Sequence, residues 1–238
     1  WALTHGMIHT EPGDFIKDGI IVIRDGKIEK VGRYIKVPLD AYEIDLEGAH
    51  VYAGFIDSWL TVKQDEKTTS PSQHWNSKIR ADYRAKDDLK IKEKDLKALH
   101  SVGMTAAHVV PEKGIIKGQS DLVVLSKEPV SVSESVAQVL EFKASSWSDR
   151  EYPNSLLGTI ALIRQTIMDA EWYEKARAIT EKFPADNEPV KHDASLAALE
   201  KFRANRLPML FMTNHEHTAI RALNICDEFN LNPWLLGS

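Results

Sequence analysis

The sequence contains two histidines separated by a single residue, His215 and His217, and this spacing suggests metal binding. On a β-strand, residues i and i+2 point to the same face, so two such imidazoles can chelate one divalent ion. The pattern here instead predicts a helix from His217 to Phe229, with Asn214 as its N-cap. Residues two apart on a helix diverge, so metal binding by His215 and His217 is kept only as the minor alternative.

A second chemical pattern lies in the segment Gly54–Leu60, which follows the apolar pair Val51-Tyr52 and continues to Thr61. It resembles the first barrel strand of the amidohydrolase superfamily, the metal-dependent hydrolases related to imidazolonepropionase and dihydroorotase. That family usually has Gly-Phe-Ile-Asp-x-His-x-His there, and both histidines bind a divalent metal. Trp59 and Thr61 occupy the histidine positions in this chain. An indole offers only an N–H donor and threonine only a neutral hydroxyl, so the resemblance implies that this metal anchor is missing.

The other ligand positions of the family give the same indication. His108 lies on the predicted second strand, where a lone inward histidine is more often a hydrogen-bonded core residue than a ligand. Thr213 stands where a mid-barrel strand of the family carries histidine, and Gly237-Ser238 stand where the next ligand would follow. Asp57 is expected to accept hydrogen bonds from neighbouring backbone amides. The candidate pocket residues are Asp57, Trp59, Thr61, His108 and Thr213, and no metal ligand is predicted.

The composition is that of an ordinary globular protein, with 238 residues, 43% hydrophobic and 27% charged, and a net charge of −5. The basic residues are scattered, which does not suggest nucleic acid, and no apolar run is long enough to span a membrane. The lone Cys226 lies in a helical apolar pattern that favours a buried structural thiol. The chain begins at Trp1, which fits a removed leader or a start inside a longer protein, so the compartment, cytoplasmic or exported, is left open.

The predicted fold class is α/β, with a small N-terminal β-sandwich over residues 1–52 and a partial (β/α)8 TIM-type barrel over residues 53–238. The first part alternates short apolar strands with turn signals such as Asp25-Gly26. Its phrases resemble the sandwich that precedes the barrel in amidohydrolases. A complete barrel typically needs ~250 residues of its own, so the barrel is predicted to be incomplete.

Two departures from a simple barrel are predicted. Residues 63–95 are polar and form a long loop that leads into a charged helix. Residues 119–145 form a β insertion, with strands near Leu122–Leu125 and Val136–Phe142.

Two further phrases, Gly114–Ser120 and Arg164–Tyr173, resemble an imidazolonepropionase-like branch whose barrels are often degenerate. The resemblance implies hydrolysis of non-peptide C–N bonds with zinc or another divalent metal. Without the metal motif, this segment is interpreted as a structural or regulatory part of a larger hydrolase, with no cofactor of its own. Its expected partner is the rest of the same polypeptide or a second subunit, and neither nucleic acid nor a membrane is expected.

Two alternatives are left open, and with them the question of whether the chain is an enzyme. The first is an active metal-dependent amidohydrolase whose ligands lie outside this segment or are unusual residues. The second is a module that binds a small amide-like molecule without chemistry.

Overall fold

The computed structural model describes residues 1–64, 74–143, 151–185 and 187–237. The chain separates into two compact units, Trp1–Phe55 and Ile56–Ser238. Parts of the predicted long loop and of the predicted β insertion, residues 65–73 and 144–145, lie outside the described residues, as does Ser238.

The N-terminal unit contains one five-stranded sheet. Its strands are β1 (Ala2–Glu11), β2 (Asp14–Arg24), β3 (Lys27–Gly32), β4 (Glu43–Asp45) and β5 (His50–Val51). β1 pairs with β2 antiparallel and with both β4 and β5 parallel, while β3 pairs with the outer side of β2. The buried side chains of the sheet include Ala2, Ile8, Ile21 and Val22. The described residues thus supply one sheet of the predicted N-terminal β domain.

The turn at Asp25-Gly26 joins β2 to β3 as predicted. Both residues have positive φ angles, 51° for Asp25 and 73° for Gly26. Two successive positive φ angles are typical of the tight turns whose twist matches that of the flanking strands. Glycine adopts this conformation without steric cost, so the dipeptide itself favours the hairpin.

The second unit is built on a six-stranded sheet whose strands follow one another in chain order. These are β6 (Phe55–Val62), β7 (Met104–Pro111), β8 (Ile116–Val124), β9 (Val130–Glu141), β10 (Pro208–Thr213) and β11 (Asn232–Gly237). β8 runs antiparallel to β7 and β9, whereas β9, β10 and β11 are mutually parallel. The strands of the predicted insertion are therefore integrated into the sheet, and both are longer than expected.

β6 and β7 also run in the same direction. His108 Nδ1 lies 3.3 Å from the Ser58 carbonyl oxygen, and the Glu112 amide donates to the Val62 carbonyl. Both contacts join residues equally far apart in sequence, as parallel strands require. Five strands thus share one direction, and β8 alone is reversed among the described strands.

The helices of this unit are α1 (Glu93–Ser101), α2 (Leu156–Lys182), α3 (Ala194–Ala204) and α4 (Glu216–Glu228), with a short 3-10 helix at Ala85–Asp88. Asp193 caps α3 by accepting a hydrogen bond from the Leu196 amide, which confirms the predicted cap. The predicted start of α4 was wrong by one position, because the N-cap is His215, which makes no side-chain capping bond. None of these four helices is long and apolar enough to cross a membrane.

The six-stranded sheet has an apolar layer on each face. On one face, called the outer face here, Val109 packs with Leu96 of α1, and Phe211 packs in a cluster with residues of α2, α3 and α4. The opposite, inner face carries Val110 and Val139. This arrangement confirms the predicted α/β class, with an N-terminal sheet domain followed by a partial barrel.

Candidate functional site

The carboxyl ends of parallel barrel strands are where βα-barrel enzymes place their chemistry, so the candidate site lies at these ends on the inner face. The first strand supplies Trp59 to that face. Its indole is partly buried and packs against an apolar cluster. The cluster consists of Val110, Ala137, Val139 and Leu210, with Met212 and Leu236 beside it. An apolar cluster therefore contacts the side chain at the first of the two positions where the resemblance implies histidine.

Asp57 and Thr61 lie two residues to either side of Trp59, so the strand alternation places them on the same face. Oδ1 of Asp57 accepts a hydrogen bond from the Trp59 amide at 2.9 Å. This is the local backbone contact predicted for Asp57. Thr61 is exposed and borders a cavity of about 500 Å³ between β6 and α1, which is also lined by Leu60, Val62, Leu89, Ile91 and Leu99.

His108 lies on β7 and shares the inner face with Val110. Its Nδ1 faces the Ser58 carbonyl, which only accepts, so Nδ1 carries the proton. Its Nε2 lies 2.8 Å from Oγ of Ser120. In the neutral ring Nε2 accepts the Ser120 hydroxyl proton, for which the Ala137 carbonyl, 3.2 Å from Oγ, is the competing acceptor. Burial lowers the pKa of His108, in agreement with a neutral ring. Both ring nitrogens are thus engaged by protein oxygens, as expected for a core histidine.

An ion pair missed by the sequence analysis lies at the same end of the sheet. Nζ of Lys117 is 2.5 Å from Oε2 of Glu141 and donates to the Glu112 carbonyl at 2.8 Å. The Lys117 side chain is 4% exposed. Glu141 shares the inner face with Ala137 and Val139, and the reversed direction of β8 brings its first residues to this end. A lysine beside the apolar pair Ile115-Ile116 was the sequence signal that could have indicated it.

Thr213 ends β10 but does not face the apolar inner cluster. It is buried, shares the face of Phe211, and its hydroxyl donates to the Leu236 carbonyl at 2.9 Å. Its predicted place in a pocket stays a prediction. His215 has an extended backbone before α4, whereas His217 lies inside the helix with its side chain exposed. The structure therefore does not place His215 and His217 on one strand face.

The donor set at these strand ends does not fit a catalytic zinc site. Such a site requires three protein ligands and one open position. Within the part of the chain that the structure describes, no group of three or more histidine, cysteine, aspartate or glutamate side chains is arranged to hold a metal ion. Of the carboxylates placed on the inner face, Glu141 is paired with Lys117 and Asp57 accepts from the Trp59 amide.

The fold is similar to that of an amidohydrolase from Thermotoga maritima MSB8. The two structures align with a TM-score of 0.79 over 98% of this chain and 63% of that chain, at 19% sequence identity. A second solved amidohydrolase aligns with a TM-score of 0.38 at 14% identity, over 94% of this chain and 58% of that chain, which is too low to support a conclusion. Comparison with known protein families and with curated proteins gives no match.

The chain therefore has an amidohydrolase-type fold, which confirms the resemblance at the level of architecture. It spans 63% of the length of the Thermotoga protein. The imidazolonepropionase-like branch stays a prediction.

Proposed function

We propose that this chain is an amidohydrolase-like segment that serves as a structural or regulatory part of a larger hydrolase and does not itself hold the catalytic metal. One observation carries the proposal, the packing of Trp59 into the apolar inner cluster. An indole has no lone pair available for a metal ion, and its bulk occupies the place where the first ligand would begin.

The surroundings of Trp59 support the same interpretation. Met212 and Leu236 pack with Trp59 against the same apolar cluster. The histidine on the neighbouring strand, His108, already engages both of its ring nitrogens. A hydrolytic metal site needs an ion, ligands and room for a water molecule. The inner face at this level instead contains packed apolar side chains.

A structural role is supported by the two edge strands. Within the described residues, β6 and β11 are the ends of the sheet, and each has a neighbour on one side only. An edge strand presents a row of unpaired N–H and C=O groups that is suited to pair with a further strand. We infer that such strands come from the rest of the same polypeptide or from a second subunit.

The test measures zinc content and hydrolysis in the wild-type chain and in the double variant Trp59→His/Thr61→His. After dialysis against a chelator, the wild-type chain is expected to retain no stoichiometric zinc. The double variant is expected to gain weak zinc affinity without hydrolysis, because it restores two ligands where three are needed. Trp59→Leu/Thr61→Leu is the matched control, since it removes the indole without adding imidazole.

Two outcomes contradict the proposal. The first is a zinc content of about one ion per wild-type chain after treatment with the chelator, if that zinc is lost on mutation of His108, His215 or His217. The other is clear turnover of an amide or lactam by the double variant, which would mean that the remaining ligands are already in place.

A further inference from the structure

Two imidazoles meet on the N-terminal sheet. Nε2 of His9 lies 3.0 Å from Nδ1 of His50, although the two residues are 41 positions apart in sequence. The parallel pairing of β1 with β5 brings them together, because Met7 lies opposite His50 and Ile8 opposite Val51. His50 is exposed and His9 is partly exposed, so solvent reaches the pair.

Neighbouring aromatic rings hold this pair in place. Tyr52 stacks on His9 with ring centroids 4.1 Å apart and planes inclined by 11°. Phe15, opposite His9 on β2, has its ring centroid 5.8 Å away. The Tyr52 hydroxyl also lies 3.4 Å from Nδ1 of His50. His9 is thus flanked by the Phe15 ring from β2 and by the Tyr52 ring from just after β5, which restricts the rotamers of its side chain.

We propose that His9 and His50 form a bidentate site for a divalent transition metal ion, with Cu²⁺ and Ni²⁺ preferred over Zn²⁺. Metal–imidazole bonds are about 2.0 Å long, so two nitrogens at a right angle on one ion are about 2.8 Å apart, and two at a tetrahedral angle about 3.3 Å. The observed 3.0 Å lies between the two values, so both nitrogens can reach one ion with little movement. The preference for Cu²⁺ follows from the general affinity order, in which Cu²⁺ exceeds Zn²⁺. Tetragonal geometry with right angles is typical of Cu²⁺ and Ni²⁺.

In the absence of metal, the same contact is a hydrogen bond in which one ring nitrogen donates to the other. Metal binding requires that the facing N–H shift to the other ring nitrogen, leaving both facing nitrogens with free lone pairs. Within the described residues no third histidine, cysteine or carboxylate completes a metal-binding group. Water therefore fills the remaining positions, and the ion exchanges readily.

This proposal is independent of the proposed function, because it concerns only residues of the N-terminal unit. It is tested with the full chain, stripped with a chelator and then titrated with NiCl2 or CuCl2 in a calorimeter. We expect one site per chain in the wild type and a loss of affinity of at least ~10-fold in His9→Ala and in His50→Ala. His5→Ala is the matched control, because His5 lies exposed on the same strand and faces Asp45 at 3.2 Å instead of a second imidazole.

Two further measurements make the assignment specific. The electron paramagnetic resonance spectrum of the Cu²⁺ complex should show two coordinated imidazole nitrogens in the wild type and one in His9→Ala. Tyr52→Phe keeps the stacked ring and removes the hydroxyl that lies 3.4 Å from the ligating Nδ1 of His50, so it should bind at least as tightly as the wild type, whereas Tyr52→Ala should bind more weakly. Equal affinities in the wild type, His9→Ala and His50→Ala, or no binding at all, would overturn the proposal. A change of affinity in His5→Ala as large as that in His9→Ala would also overturn it.

Discussion

His108 on the inner face of the barrel sheet and His9 on the N-terminal sheet differ in what their rings leave available. His108 is partly buried, and protein oxygens engage both of its ring nitrogens. His9 meets a second imidazole at a surface that solvent reaches. Polar groups that satisfy one another in an interior stabilise the fold, whereas imidazoles that face each other at a surface keep the capacity to bind a ligand. Substitutions on the inner face are therefore expected to change the free energy of unfolding, and substitutions of His9 or His50 to change metal binding.

The largest effect should come from the Lys117–Glu141 pair on the inner face. Glu141→Ala leaves a 4%-exposed lysine without its carboxylate, and breaking such a pair costs about 3 kcal/mol or more of the free energy of unfolding. The double variant Lys117→Met/Glu141→Leu is the matched control. It removes both charges, so it should lose less than about half as much. Urea denaturation measures both values. A loss below ~0.5 kcal/mol in Glu141→Ala would show that this end of the sheet is not tightly packed.

An intermediate effect should appear in the pH dependence of stability. Burial lowers the pKa of His108 in the folded protein, so the unfolded chain binds the proton more readily. The stabilisation is fully present above the unfolded value of about 6.5 and is lost as the pH falls through the lower folded pKa. Unfolding free energies of the wild type and of His108→Gln should therefore converge or cross as the solution is acidified below that value. Parallel curves would contradict the assignment of a neutral, buried ring.

The smallest effect on the free energy of unfolding should come from a substitution in the N-terminal sheet, His50→Ala. His50 is exposed, and its replacement by alanine should change the free energy of unfolding by about 0.5 kcal/mol or less in metal-free buffer. The same urea denaturation applies, with Glu141→Ala as the reference. A loss above ~1.5 kcal/mol would mean that the ring cluster is itself a stabilising element, and the contrast between the two regions would then fail.

Features set by local chemistry were predictable from the sequence. The Asp25-Gly26 turn and the Asp193 cap both depend on residues within four positions of each other, and both are present. The position of Trp59 on the inner face follows from strand alternation and the neighbouring phrase. The α/β class with a partial barrel was predictable for the same reason, because alternating patterns and short phrases repeat along the chain.

Features set by strand pairing were not predictable. The contact between His9 and His50 depends on the register of β1 against β5, which no local pattern encodes. The pairing of Lys117 with Glu141 depends on β8 being reversed between two parallel strands. The residue pattern of a strand reads alike in either direction, so the orientation of β8 depends on the strands that flank it.

The reversed strand also bears on how the sheet assembles. β7, β8 and β9 form a meander whose connections, residues 112–115 and 125–129, are short. Pairing β9 with β10 instead requires closure of the whole segment 142–207. Loop-closure entropy grows with the logarithm of loop length, so the long closure costs ~2 kcal/mol more than either short one. The meander is thus the part of the sheet with the lowest entropic cost of formation, and it offers a ready edge for the later, more distant strands.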